Sequence, residues 1–522
     1  MRPRADMPAA HGELTAVPPV SEWADLARTN ARAADSWEFE VAGAPVSDVR
    51  SEARKTLLAV AANVTAAMGL DAPPVPDDPG PIVVTGHQPD LYHAGVWVKD
   101  FLVQHIAHQT GGTGVDIVVD TDGFDRLGVD VPCLDLAEKR CRHDLAVGSG
   151  ASCFGCAPVP SADQIEAFCQ ETAAAIRTLP TPAVAGHFSD FCDALREARP
   201  FSRSLSDLIT GARRRFEGEL TDYLELPVTD AAATRPYLRF ALDILLDAER
   251  FARCHNAVLD EFRSRNRVRT PAQPFPNLSV SHGSVEVPFW LVSAEGRFAA
   301  RIAEAGDGID LLGPEGPVLH LPSDTEVALT VLADSGLTLA PRAVTLTLFF
   351  RTFLADLFIH GLGGDRYDRV TDGIARAWWG IELPPYVVAS LTMYLPLEAP
   401  IVSDEDIADL DRRVHRLTHN PDEALAEMSF DSADEQRHAL ALVEEKRRLV
   451  QEISVDGADR KALGTRIRAV NDEMGILVAP LVAEVRARRD ALVAQQRDSE
   501  VLTDRTYPFC LWSPAQIADE IR

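Results

Sequence analysis

Lysine is nearly missing from this chain of 522 residues: only Lys55, Lys99, Lys139, Lys446 and Lys461 occur, and arginine supplies the rest of the positive charge. Positive charge as a whole is short, with 51 Lys+Arg against 79 Asp+Glu and a formal net charge of −28. A nucleic-acid binder needs a clustered basic face to displace counterions from phosphates, and so acidic a chain opposes one. Long apolar runs are missing too. The most hydrophobic stretch, 343–361, is interrupted by Arg351 and Asp356, and Met1-Arg2-Pro3-Arg4-Ala5-Asp6 has no signal-like apolar run. The expectation is a cytoplasmic protein with neither a nucleic-acid nor a membrane partner. Cysteine is sparse: eight residues make no disulfide framework and fit unpaired thiols in a reducing compartment. Cys153-Phe154-Gly155-Cys156, with Cys133 and Cys141 upstream, offers one close pair where a zinc ribbon needs two, so no metal site is expected.

What is present is an ordinary globular balance, 46% apolar and 25% charged, long enough for two or three domains. Residues 1–80 read as a helical segment, with Leu57, Val60, Val64 and Met68 on one stripe, closed by the proline-rich linker Ala72 to Gly80. Pro81 to Gln109 reads as a strand, a turn and a helix, and Val115 to Asp120 as a second strand. Strand, helix, strand at this spacing is a βαβ crossover, which predicts an α/β fold with a doubly wound parallel sheet over 81–400. Two insertions interrupt that core: a helical one at 160–265, including one helix over Tyr237–Arg263, and a β-rich one at 285–340. Over 401–500, Leu463, Ile467, Val470, Met474, Leu477, Leu481 and Val485 alternate steps of four and three, preceded by a shorter helix carrying Ala439, Leu442, Leu449 and Ile453. That pattern predicts an antiparallel coiled-coil hairpin, 431–453 and 459–497, kinked at Pro480, that packs on itself or pairs two subunits in a homodimer. Residues 501–522 form a closing segment.

Chemistry concentrates where the first strand ends. Thr85-Gly86-His87-Gln88 runs into His93 and Lys99 at the start of the next helix. Ligands of open α/β sheets lie beyond the carboxyl ends of strands, where helix N-termini favour anions. Imidazole moves protons near neutral pH and an ammonium can hold phosphate oxygens, so His87, His93 and Lys99 are the expected catalytic groups. Asp120, Asp122 and Asp125 follow the next parallel strand and should face the same cleft, holding an amine or Mg²⁺ with a substrate phosphate. A third turn, Gly363-Gly364-Asp365-Arg366-Tyr367, allows close backbone approach to a ligand and offers Arg366 to an anion.

These patches resemble a family. Val84-Thr85-Gly86-His87-Gln88-Pro89, with Leu91-Tyr92 and Lys99, resembles the opening motif of the bacillithiol-biosynthesis cysteine-adding enzymes. The acidic turn, the Gly363-Gly364 turn with Tyr367, the helical hairpin and the closing Tyr507-Pro508-Phe509-Cys510-Leu511-Trp512 are similar to later features of that family, in the same order. The resemblance implies a Rossmann-like core, a coiled-coil appendage, a nucleotide-sized pocket for ATP or ADP, and ligation of cysteine to an amino-sugar conjugate. The chain departs from it at His87, where the family has glutamine, in the offset of the lysine, and in an acid turn without an embedded histidine. His87-Gln88-Pro89, Gly95 and Lys99 are also similar to the WbqC-like family of sugar and glycolipid biosynthesis. His93-Ala94-Gly95-Val96 is a partial match to the His-x-Gly-His signature of nucleotidyl transferases. The expectation is a small-molecule ligase or transferase that forms an amide between an amino-acid carboxylate and an amine. The alternatives are a nucleotidyl transferase and a non-catalytic binding or assembly protein that works through the coiled coil.

Overall fold

The computed structural model describes residues 5–133, 140–149, 152–179, 181–268, 270, 275–281, 283–293, 296–396, 402–425, 428–430 and 432–521. Residues 400, 401 and 431, where boundaries were expected, lie outside them. The protein is mixed α/β and divides into two compact units, one of 5–133, 140–396 and 505–521, the other of 402–504.

The N-terminal part forms β1 (Leu14–Val17), α1 (Trp23–Ala34) and α2 (Val46–Ala67). The purely helical reading of this part is corrected by β1, which pairs antiparallel along the edge of the central sheet. Then come β2 (Ile82–His87), α3 (Ala94–Thr110) and β3 (Thr113–Val118). Helix α3 starts where His93 accepts a hydrogen bond from the Gly95 N–H and stops where Gly111 turns left-handed at φ 64°. An antiparallel pair, β4 (Arg126–Pro132) and β5 (Arg140–Val147), precedes α4 (Ala162–Ile176), α5 (Pro182–Ala198) and α6 (Leu205–Glu217). The four-residue strand β6 (Leu224–Pro227) then returns the chain to the central sheet. The helix expected over Tyr237–Arg263 is two, α7 (Arg235–Leu245) and α8 (Ala248–Asn266).

The β-rich segment is an antiparallel sheet of β7 (Ser284–Ser293), β8 (Gly296–Ala305), β9 (Gly308–Gly313) and β10 (Gly316–Pro322), joined after α9 (Thr325–Asp334) by β11 (Thr338–Pro341), which pairs with β7. Helix α10 (Ala343–Phe353), β12 (Leu357–His360), α11 (Leu362–Trp379) and β13 (Val387–Leu391) complete the unit.

The central sheet runs β1-β13-β12-β2-β3-β6, parallel except at β1. From β2 the chain winds one way to β3 and β6 and later the other way to β12 and β13, so the winding reverses between β2 and β12. A crevice opens at the carboxyl ends of strands at such a point. Alternation along the strands sorts their side chains to two faces. Ile82, Val84, Val115, Ile117, Leu224 and Leu226 belong to the main core with Leu57 and Ala61 of α2 and Phe349 of α10. Thr85, His87, Asp116 and Glu225 point to the other face, towards α3 and α6.

The second unit holds α12 (Asp404–His419), α13 (Ala433–Ile453) and α14 (Arg460–Leu502), the last with Pro480 inside it. Leu442, Val443 and Leu449 of α13 share a buried cluster with Val470, Met474 and Val478 of α14. Among the described residues no helix is long and apolar enough to cross a membrane.

Candidate functional site

Thr85, Asp116 and Glu225 stand in one register row across β2, β3 and β6. Each is fully buried. Charges so placed must be paired, because an unpaired ion loses several kcal/mol of hydration. The partners come from α6. Arg213 donates to Asp116 Oδ2 at 2.9 Å, Glu225 Oε1 at 2.6 Å, Tyr92 Oη at 2.8 Å and His87 Nε2 at 3.1 Å. Arg214 approaches Glu225 and Glu217 at 3.4 Å, and Tyr92 Oη donates to Asp100 Oδ2 at 3.0 Å. Burial pushes the carboxyls of Asp100 and Glu225 up towards the protonated form, and the nearby arginines oppose this. His87, Asp100 and Asp116 are close enough to suggest metal ligands, but the Arg213 guanidinium already sits among them as the cation.

His87 is held inside this network. Its Nε2 stands 3.1 Å from Arg213, from Asp100 Oδ1 and from Tyr92 Oη, and its Nδ1 stands 3.2 Å from the Gln88 carbonyl. Burial, with Lys99 and Arg213 nearby, pushes its pKa down to about 3, so the ring is neutral and both ring nitrogens already have partners. Lys99 is 3% exposed, and its Nζ donates to Thr85 Oγ1 at 3.2 Å and the Gly86 carbonyl at 3.1 Å. Burial lowers its pKa. His93 caps α3, and burial brings its pKa down to about 4.

The acid turn splits. Asp120 turns away from His87: its Oδ1 accepts from the Thr229 N–H at 3.1 Å and its Oδ2 from the Thr229 hydroxyl. Asp125 is exposed. Asp122 does meet the His87 loop, accepting from Gln88 Nε2 at 2.7 Å on one oxygen and from Arg297 at 2.7 Å on the other.

Asp122 leads into a cavity of about 290 Å³ whose wall includes Trp290, Arg297, Arg342, Glu286, His255 and Phe275. The guanidinium carbons of Arg342 and Arg297 lie 4.0 and 4.9 Å from the Trp290 ring centre, within cation–π range. Arg342 is also paired with Glu286 at 2.6 Å. His255 is buried, which brings its pKa down to about 4 and leaves it neutral. Ala343 on the wall has φ +35°, a strained conformation for a residue with a side chain. The cavity borders the sheet's carboxyl edge: Asp122 follows β3, Gln88 follows β2, and the Phe275 ring meets Tyr367 of α11 at 5.6 Å.

At the end of β12, His360 Nε2 lies 2.9 Å from Asp368, which Arg351 also holds. A Cβ on Gly364 would come within 2.6 Å of His360 Nδ1, so the helix turn approaches that ring only as glycine. Gly363 faces open space, and Arg366 is exposed. Asp365 lies inside the first turn of α11 and accepts from Tyr386 Oη at 3.1 Å.

The structure thus brings Gln88 and Asp122 together, sets His87 and Lys99 beneath them in protein, and leaves Asp120, Asp125 and His93 in other settings. Sequence reasoning missed Asp100, Asp116, Arg213 and Glu225. Their signal was a charge inside a buried pattern, as in Val115-Asp116-Ile117 and Leu224-Glu225-Leu226. The reading of unpaired thiols is also corrected, because Cys133 joins Cys141 and Cys153 joins Cys156 in disulfides. No family model matches the chain, and no curated protein matches it.

Proposed function

We propose that this chain is a small-molecule ligase or transferase of the amide-forming type, built on a Rossmann-like sheet, that takes a zwitterionic amino acid in the cavity at the winding reversal. One observation carries the reading: two arginine–carboxylate pairs lie against the Trp290 ring there, Arg297 with Asp122 and Arg342 with Glu286. An amino acid matches that pattern, with its carboxylate on the guanidinium donors, its ammonium on the Asp122 and Glu286 oxygens, and its side chain on Trp290. Gln88 fixes Asp122. His87 and Arg213 act as positioning residues that hold the β2 turn, and Lys99 places positive potential beneath it.

Joining a carboxylate to an amine in water is uphill, and a bound nucleoside triphosphate would supply the activation. The residues present fit a phosphate group at the start of α11, where Gly363 leaves open space and Arg366 has no partner among the described residues. They do not fit Mg²⁺ at the acid turn, because Thr229 holds both oxygens of Asp120 and Asp122 alone supplies too few oxygen ligands. The amine acceptor would be an amino sugar, and the long α13–α14 hairpin a coiled coil that pairs two subunits in the cytoplasm. A binding protein without turnover is the second reading, favoured by the burial of His87 and Lys99.

The test is incubation of the protein with ATP, Mg²⁺, an amino-acid panel and amino-sugar acceptors, with mass spectrometry for an amide and release of phosphate or pyrophosphate as readouts. An amide that disappears in Arg342→Ala supports the ligase. Amino-acid binding with neither amide nor nucleotide turnover supports the binding protein instead.

A further inference from the structure

A second cavity of about 300 Å³ lies under a different turn, and Cys156 is on its wall. Cys153 and Cys156 are bonded across a three-residue step, with Cα atoms 5.1 Å apart, but the two sulfur-bearing residues are not equivalent. Cys153 is fully buried, whereas Cys156 is part-exposed and meets a space rimmed by Phe124, Pro158 and the 71% exposed Val147. A small molecule entering that space reaches Cys156 first.

We propose that Cys153 and Cys156 form a reversible thiol–disulfide exchange site that takes a low-molecular-weight thiol or disulfide from this cavity. In the reducing direction a ligand thiolate attacks the Cys156 sulfur, the Cys153–Cys156 bond breaks, and its electron pair goes to Cys153, which takes up a proton. A second ligand thiolate then attacks the ligand sulfur of the mixed disulfide, releasing Cys156 as a thiol. Two ligand thiols leave as one disulfide and the protein pair gains two electrons and two protons. Thiolate attack is selective for the accessible sulfur, which makes Cys156 the entry residue and Cys153 the resolving one.

The setting suits this chemistry. Gly155 N donates to the Asp120 carbonyl at 2.7 Å, and a Cβ on Gly155 would come within 2.9 Å of Asp120 Oδ2, so glycine lets the turn lie directly on that carboxyl. Burial pushes Asp120 up to about 7, where a carboxyl can give or take a proton near neutrality. The turn is held in place independently of the sulfur bond. Phe154 N donates to the Asp122 carbonyl at 3.0 Å, Ser206 N donates to the Phe154 carbonyl at 3.2 Å, and the Phe154 ring stacks on Phe124 at 4.7 Å. Opening the disulfide therefore leaves both sulfurs near each other, as reversibility requires. Cys133 and Cys141 lack this arrangement: they sit at the end of the β4–β5 ladder, eight residues apart.

The full-length native protein is equilibrated with mixtures of reduced and oxidised glutathione, quenched in acid, differentially alkylated and mapped by mass spectrometry. The expected result is a complete shift of the Cys153–Cys156 pair between disulfide and dithiol across the series. Cys153→Ser, once circular dichroism shows it folded, should trap glutathione on Cys156, and Cys156→Ser should lose the adduct. The wild-type series decides the matter if the variants fail to fold. A pair locked in one state across the whole series, or an adduct on Cys153 in place of Cys156, overturns the proposal.

Discussion

Replacing Asp120 by asparagine should stabilise the protein, and more so as pH rises. The carboxyl is 3% exposed, and its pKa stands near 7 against a reference of 3.8, raised first by burial and further by Asp230 and Asp207. A carboxyl whose folded pKa is raised stabilises the fold in its neutral form below the unfolded pKa, and that contribution is lost as pH climbs to the folded pKa. The gap of roughly 3 units, at about 1.36 kcal/mol each, makes the loss about 4 kcal/mol between about pH 4 and pH 7. Asparagine mimics the neutral acid in shape, and the Thr229 hydroxyl can rotate to accept from its amide. The stability of Asp120→Asn minus that of wild type should therefore be near zero at about pH 4 and rise to about 4 kcal/mol above about pH 7. Guanidinium unfolding followed by tryptophan fluorescence at several pH values measures it. A difference that stays flat with pH, or one that falls as pH rises, would mean instead that Asp120 is a well-paired carboxylate.

Arg213→Leu removes the cation shared by Asp116 and Glu225, and a buried pair broken from one side costs about 3–5 kcal/mol in denaturant unfolding. A loss below about 1 kcal/mol would mean that the buried row is not held by that guanidinium. Phe509 packs against Tyr92, Trp97 and Phe191, so Phe509→Ala should cost about 3–5 kcal/mol by the same measurement. Gly364→Ala forces a methyl against the pinned His360 ring and should cost about 1–3 kcal/mol, read as a lower melting temperature.

The first βαβ unit was legible because its signals are local. Pro81 closes a linker, Ile82 to Val84 are β-formers, His93 caps a helix and Gly111 ends it. The C-terminal helices were legible for the same reason, since a long heptad pattern carries its own period. What escaped depends on distant partners. β6 has only Leu224-Glu225-Leu226-Pro227, too short to show a period, and is a strand because Val115 of β3 pairs with Leu224. β1 is four residues that exist as a strand through β13. The Arg213-Arg214-Arg215 run does not stand out in a chain whose positive charge is mostly arginine. Folding buries the first two because α6 turns them onto charges from β3 and β6.

The candidate site divides the same way. Gln88 and Asp122 were readable from strand ends, and the structure joins them. His87 and Lys99 were readable as unusual, but their rarity reflects a buried polar row beneath the turn. The cavity itself has no local motif. Its wall is assembled from Asp122, His255, Phe275, the β7–β8 hairpin and Arg342, which meet only after the antiparallel sheet has docked.

The cavity beside Trp290 is proposed to bind a zwitterion. Isothermal titration of the full-length protein with a panel of α-amino acids tests it most directly, alongside Trp290→Leu and Arg342→Ala proteins whose circular dichroism matches wild type. Saturable binding of an amino acid to wild type, lost in both variants, is the predicted result. Binding that survives both substitutions, or no heat of binding from any amino acid, contradicts it.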